Sequence, residues 1–357
     1  MRVKEIKGKR RKRLYIALAA ITAGLLVAMA LPLTGYVLHS VGLVQVAQAQ
    51  EADDEDEAVN QRAEYWRAVR GGVEGYSAVS GQETGVLIQN GGQKWRETRD
   101  GPLSFFGASL IIAVLVAIAA KHLVRGRDTL DERTGRMMAR WPAFERALHW
   151  YVAILFIILA ITGLSLMFGR AMLIPLMGKE GFAAWAQLAK PVHDYLALPF
   201  AAGLILTLLI YARKMLLQSH DFAWLRSMGG LIGDRHPPSG FFNAGEKIFF
   251  WLLFFCGIAI MVSGFYLLFP NLGWERDAMQ LSHIVHSASG VFLIAVSLGH
   301  IYLGSFGVEG ALEGMVTGSV DEGFAKEHHV LWYEEVKGIA AVEDNTPAPD
   351  ATTATPT

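Results

Sequence analysis

Apolar residues along the chain are gathered into five runs, at about 103–124, 147–169, 192–217, 246–269 and 283–305. Each has roughly the length of about 20 residues that crosses the hydrocarbon core of a bilayer as a helix. Within a run the apolar residues go all the way round the helical repeat, as they do when lipid is the solvent. Connections rich in Arg, Lys, Gly and Pro separate the runs. The pattern predicts an all-α integral membrane protein.

The ends of the chain follow different rules. The stretch "MRVKEIKGKRRKRLYIALAAITAGLLVAMALPLTGYVLHSVGLVQVAQAQ" has a basic front, an apolar middle and a small-residue "AQA" at 47–49. It reads as a signal peptide over 1–49, cleaved after Ala49. Its long apolar part leaves an uncleaved anchor as the alternative. An acidic run, "EADDEDE" (51–57), then opens a polar segment, 50–102, whose "GGVEGY" and "NGG" mark turns. That segment is either a docking surface for a partner or a loosely folded lid. The tail, 306–357, is amphipathic at first and ends in "NTPAPDATTATPT", a composition expected to be disordered.

Charge sets an orientation. The connection 121–146 carries Lys121, Arg125, Arg127, Arg133, Arg136, Arg140 and Arg146, and 213–247 carries Arg213, Lys214, Arg226, Arg235 and Lys247. The alternate loops hold fewer basic residues: Arg170, Lys179 and Lys190 in one, Arg276 in the other. Basic loops stay in the cytoplasm. Residues 50–102 are therefore expected outside, in the periplasm of a bacterial inner (plasma) membrane, with the C-terminus in the cytoplasm. The net charge of −1 gives no global field for nucleic acid. The single cysteine, Cys256, excludes a C-x-x-C-H haem attachment or a cysteine-held iron–sulfur cluster within the chain.

The chemistry lies in the histidines. Ionisable groups inside a span are costly and are functional candidates by default. His286 and His300 are fourteen residues apart, nearly four helical turns, so they share a face about 21 Å apart along the axis. His149 opens the second span at the depth of His300, and His193 opens the third at the depth of His286. Two facing pairs result, one toward each membrane surface. Paired neutral imidazoles suit axial ligation of iron in a planar macrocycle, so two haem b groups, without covalent attachment, are expected. The bland reading of each histidine is hydration near a helix end. The competing metal reading is zinc, for which the two pairs lie too far apart to complete one tetrahedral site. A proton-relay transporter would call for mid-depth carboxylates, which the spans almost lack. His283 is the nearest rival to His286 and reads as a neighbouring, interfacial group. His39 would leave with the signal, and His122, His220, His236, His328 and His329 read as interfacial or tail residues.

Five stretches carry a resemblance: "FERALHWYVAILFIILAITGLSLMF" (144–168), "KPVHDYL" (190–196), "FNAGEKIFFW" (242–251), "IVHSASGVFLIAVSLGHIY" (284–302) and "AKEHHVLWY" (325–333). Together, over about 141–335, they resemble the gamma subunit, cytochrome b, of respiratory membrane-bound formate dehydrogenase. The resemblance implies a four-helix di-haem bundle over 141–305, with haem-binding His149, His193, His286 and His300 and with the span at 103–124 as an addition before it. It also implies quinone-binding at Asn243 and Glu246, where Glu246 stands in place of the family's Gln and otherwise reads as an ordinary acid in the first turn of a helix. Electrons would come from an iron–sulfur beta subunit, fed by a catalytic alpha subunit, and leave to quinone in anaerobic respiration. The chain itself would not oxidise formate. A di-haem anchor of a membrane hydrogenase or another oxidoreductase, and a haem-free scaffold or transporter, remain the alternatives.

Overall fold

The structure is a computed structural model that describes residues 64, 66–67, 90–227, 229–230 and 237–344. The expected signal peptide, most of the expected external segment and the end of the tail lie outside the described residues.

The described chain is almost entirely helical. Helix α1 (Asn90–Thr98) passes through a π-helical turn at Arg99–Leu103 into α2 (Ser104–Arg125). Then follow α3 (Ala143–Met172), α4 (Ile174–Tyr211), α5 (Asp221–Arg226), α6 (Ala244–Leu268) and α7 (Arg276–Tyr302). Five of these stretches, starting at Lys94, Ala143, Ile174, Ala244 and Arg276, are long and apolar enough to cross a bilayer. A helix satisfies its own backbone polar groups, which is why such runs can enter lipid at all. The chain is a multi-pass membrane protein.

The third span starts at Ile174, well before the 192 expected from hydropathy. The reason is amphipathic. Gly178 turns the backbone at φ +75°, a conformation open to glycine at little cost. Beyond it half-buried Phe182 and Trp185 and buried Ala189 recur on one helical face.

The chain divides into two compact units, and α3, α4, α6 and α7 each contribute one stretch to either unit. The first holds α1, α2, Ala160–Asp194 and Ile258–Ala295. Its interior includes Leu293 and Ala295 and the hydroxyls of Thr162, Ser263 and Ser282, while Ile161, Val262 and Phe265 face outward. Hydroxyls inside and large aliphatics outside invert the soluble arrangement and suit lipid. Small residues permit close approach here: a Cβ on Gly107 of α2 would lie 3.1 Å from Val291 of α7.

The second unit holds Arg125–Leu159, Tyr195–Gly257 and the chain from Val296. Leu204 and Phe200 are buried in its helical part, and Tyr151 donates to the carbonyl of Pro199 at 2.9 Å. Against the helix ends lies a layer made from both the α2–α3 connection and the tail. Strand β1 (Met137–Ala139) pairs antiparallel with β2 (Ser319–Asp321) in the register Met138↔Val320. Around them pack α8 (Ala311–Thr317), α9 (Glu322–His328) and α10 (Val330–Asp344). The layer has its own core of Val320, Phe324, Ala325 and Trp332. Asp321 caps α9 by accepting from the Gly323 amide at 2.7 Å, and it also takes the amides of Thr134 and Gly135.

Arg140 is buried where this layer meets the helices of the unit. It donates to the Phe241 carbonyl at 2.7 Å, and its guanidinium lies 5.0–5.8 Å from the rings of Phe241, Trp332, Trp141 and Phe324. Such cation–π contacts replace the hydration that burial removes. His329, almost fully buried, bonds through Nδ1 to the Gly240 carbonyl at 2.8 Å. Burial, then the nearby Arg140 charge, holds its pKa well below 6.5. His329 is thus a neutral structural strut rather than a loose tail residue.

Candidate haem sites

His193 and His286 face each other in the first unit, with ring centres 6.1 Å apart. Each ring is held through Nδ1. The Nδ1 of His286 lies 3.1 Å from the Ile260 carbonyl, with Ser263 Oγ at 3.3 Å. A carbonyl only accepts, so Nδ1 carries the proton and Nε2 keeps a free lone pair. The Nδ1 of His193 pairs with Thr162 Oγ1 at 2.9 Å. Glycine leaves room for both rings: a Cβ on Gly163 would lie 3.1 Å from His193, and one on Gly264 3.2 Å from His286.

In the second unit His149 and His300 face each other with ring centres 6.3 Å apart. Phe249 of α6 stacks flat on His300, at 4.3 Å and 4°. Among the described residues the Nδ1 of His149 is buried without a hydrogen-bond partner. Here a ring is braced by stacking on a phenylalanine.

Both separations can be tested against ligation. Metal–imidazole bonds are about 2 Å long and a ring nitrogen lies about 1.2 Å from its centre, so two rings on opposite sides of one metal stand about 6.4 Å apart. The two pairs, at 6.1 and 6.3 Å, fit. Among the described residues no group of three or more His, Cys, Asp or Glu could enclose an ion. The donor set is therefore wrong for a structural zinc site and right for a metal whose equatorial ligands come from a macrocycle.

Asn243 and Glu246 occupy the N-terminus of α6. Asn243 Oδ1 accepts from the Glu246 amide at 2.9 Å, and Glu246 Oε2 accepts from the Asn243 amide at 2.8 Å. This is a reciprocal capping box, a structural role the sequence reading did not assign to the pair. Its signature, Asn-x-x-Glu before an apolar run, was present all along. Arg140 Nη2 stands 4.0 Å from Glu246 Oε1. Close by in sequence, Gly240, Phe241, Phe242 and Lys247 line a cavity of about 400 Å³, together with Lys214, His220 and Trp332. Lys247 is buried and paired with buried Asp221 at 2.7 Å. Neither the cavity nor this ion pair was anticipated, because both arise from contacts between distant segments.

The chain is 26% identical to the cytochrome b556 subunit of the nitrate-inducible formate dehydrogenase of Escherichia coli K12, over 59% of this chain and 96% of that subunit. A second formate dehydrogenase cytochrome b556 subunit of the same organism is 29% identical over 60% of this chain and 96% of its own length. The formate dehydrogenase cytochrome b556 subunit of Haemophilus influenzae is 28% identical over 55% and 81%. The sequence profile of prokaryotic cytochrome b561 matches residues 140–318, half of the chain and the stretch that contains all four histidines. Such a family implies binding of haem b, and the chain belongs to it: it is a membrane protein of the prokaryotic cytochrome b561 family.

Proposed function

We propose that this chain is the cytochrome b subunit of a membrane-bound formate dehydrogenase, passing electrons from an iron–sulfur partner subunit through two b haems to quinone. The observation that carries the reading is the spacing of the two histidine pairs, 6.1 and 6.3 Å, which suits bis-histidine ligation. The similarity to formate dehydrogenase subunits supports the choice of donor enzyme.

When bound, the haems supply reversible one-electron chemistry. The chain's own residues hold and orient the ligands. Ile260, Ser263 and Thr162 fix the outer pair, His193 and His286, leaving Nε2 for iron. Phe249 braces His300, which with His149 forms the inner pair. Partners that orient a ligating histidine also tune its basicity. The dry helical surroundings add the low dielectric that helps set the potential.

Asn243 and Glu246, by resemblance, contact the quinone near the inner pair. The cavity of about 400 Å³ close by is lined by Phe241, Phe242 and Trp332 together with Lys214, Gln218, His220, Lys247 and Glu335, and neither Asn243 nor Glu246 is in its lining. A carboxylate at Glu246 could take and release a proton where an amide could not. With the basic connections in the cytoplasm, proton uptake there would store energy across the membrane. Formate oxidation belongs to the catalytic alpha subunit.

The test is a reduced-minus-oxidised spectrum of the purified chain with haem quantified per polypeptide. Two b haems, falling to one in His286→Ala and in His300→Ala, are expected. A protein without a haem band would overturn the reading.

A further inference from the structure

The segment before the family match does more than add a span. Helix α1 lies against the start of α7, where a Cβ on Gly92 would come 3.8 Å from Gln280. Trp95 of α1 meets His283 of α7 edge to face, ring centres 5.4 Å apart. Trp95 Nε1 and His283 Nδ1 are both buried, and among the described residues neither has a hydrogen-bond partner. Native structures rarely leave such groups unsatisfied, and each one needs an explanation. An acceptor that belongs in the site would supply it.

Charge points the same way. Arg99, at the π-helical turn, lies 5.0 Å over the Trp95 ring, and Arg99 and Lys190 are both within electrostatic reach of His283. Each cation has one carboxylate nearby, Asp100 at 2.8 Å and Asp194 at 2.5 Å. His283 and Lys190 hold equivalent places, three residues before His286 and His193 respectively. Residues three apart are neighbours on a helix face. A group gripped by the outer histidine pair therefore has donors and positive charge one turn away on both helices, with α1 above them. Haem b carries two propionate carboxylates on one edge, and carboxylates are the acceptors such a cluster would take.

We propose that Trp95, Arg99, Lys190 and His283 form a carboxylate cradle for the propionates of the haem ligated by His193 and His286, so that the N-terminal extension tunes that haem. The inference rests on the di-haem reading above. Positive charge beside the propionates favours the reduced, less positive iron, so its removal lowers the midpoint potential of the outer haem alone.

The experiment uses the full-length protein in detergent or nanodiscs. First, two haems per chain in the unsubstituted protein establish the site independently of the cradle. Then Arg99→Gln and His283→Gln are titrated potentiometrically, and Trp95→Phe, which keeps the ring and deletes only the N–H, is compared by resonance Raman at the propionate bending bands. Expected are about a tenfold shift toward the oxidised form for one haem in Arg99→Gln, equal to 59 mV for one electron, and a moved propionate band in Trp95→Phe. Both potentials and all propionate bands unchanged, with haem content intact, would overturn the cradle while leaving the di-haem reading standing.

Discussion

The carbonyl of Ile260 accepts from Nδ1 of His286 at 3.1 Å, and this one bond decides which ring nitrogen faces His193. His193 is held by a side chain instead, Thr162 Oγ1 at 2.9 Å. The difference is testable because only the second partner can be deleted by substitution. Thr162→Val keeps the shape and removes the hydroxyl. Loss of an orienting partner costs about 10- to 100-fold in metal affinity. Haem retained per chain after detergent dilution should fall accordingly, with one haem lost before the other.

Gly264 gives a steric test of the same pair. Its added Cβ would stand 3.2 Å from His286, tight enough to move the ring. Gly264→Val should abolish one haem while circular dichroism still reports a full complement of helix. Two haems retained in that variant would show that the ring is free to shift.

Asn243 serves both as a helix cap and, on the proposed reading, as a quinone contact, and the two roles can be separated. Asn243→Ala removes both, and loss of the cap alone costs about 1 kcal/mol. Asn243→Ser keeps a capping oxygen and deletes the amide. Thermal stability close to that of the unsubstituted protein, together with slowed quinol formation, is expected for Asn243→Ser. Equal rates in the serine variant would reduce Asn243 to a cap.

Lys247 and Asp221 form a pair that is almost fully buried, at 2.7 Å. Removing one partner of a buried pair strands the other charge, which costs about 3–5 kcal/mol. Lys247→Met should therefore destabilise the protein strongly, and Asp221→Asn added to it should recover part of the loss. Thermal unfolding monitored by tryptophan fluorescence reads both.

Acid should loosen the layer that carries β1 and β2. Hydrogen bonds from Tyr333 and Lys337, and then Arg136, lower the Glu322 pKa from 4.5 to about 2. A carboxylate with a depressed folded pKa stabilises fully above its unfolded value, and that contribution disappears as pH falls through the folded one. Hydrogen exchange in 319–337 should therefore be unaffected from pH 7 to about 5 and accelerate between about 4.5 and 2, once corrected for intrinsic rates. Glu322→Gln should weaken that dependence, the rest coming from Asp321, whose pKa the amides of Gly323, Thr134 and Gly135 lower against burial.

The pairing in the candidate site was readable because membrane spans impose two rulers at once, depth and helical period. His149, His193, His286 and His300 sort into pairs by depth alone, and the structure brings together those same pairs. The early start of α4 was hidden because Pro191 looks like a break yet is carried within the helix, while Gly178 is a true break between a short first piece and the long helix. The Arg140 surroundings were not readable at all. Phe241, Phe324 and Trp332 come from segments far apart in sequence, and no local pattern announces a tertiary meeting. At Glu246 the first-turn acid is legible in the sequence, whereas its reciprocal bonding with Asn243 depends on how the two backbones enter the helix.

The pairing of Met137–Ala139 with Ser319–Asp321 also sets an order of events during synthesis. The first strand emerges from the ribosome about 180 residues before its partner, a wait of about 10 to 40 seconds at ordinary elongation rates. Four spans, α3, α4, α6 and α7, are made in that interval. Until the last has been threaded, Asp321 is missing from the turn at Thr134 and Gly135, and Arg140 lacks Phe324 and Trp332. Closure of this clasp therefore marks the moment when insertion is complete, and a chain stalled short of residue 319 would display an open strand and an unshielded arginine to the quality-control machinery of the cell.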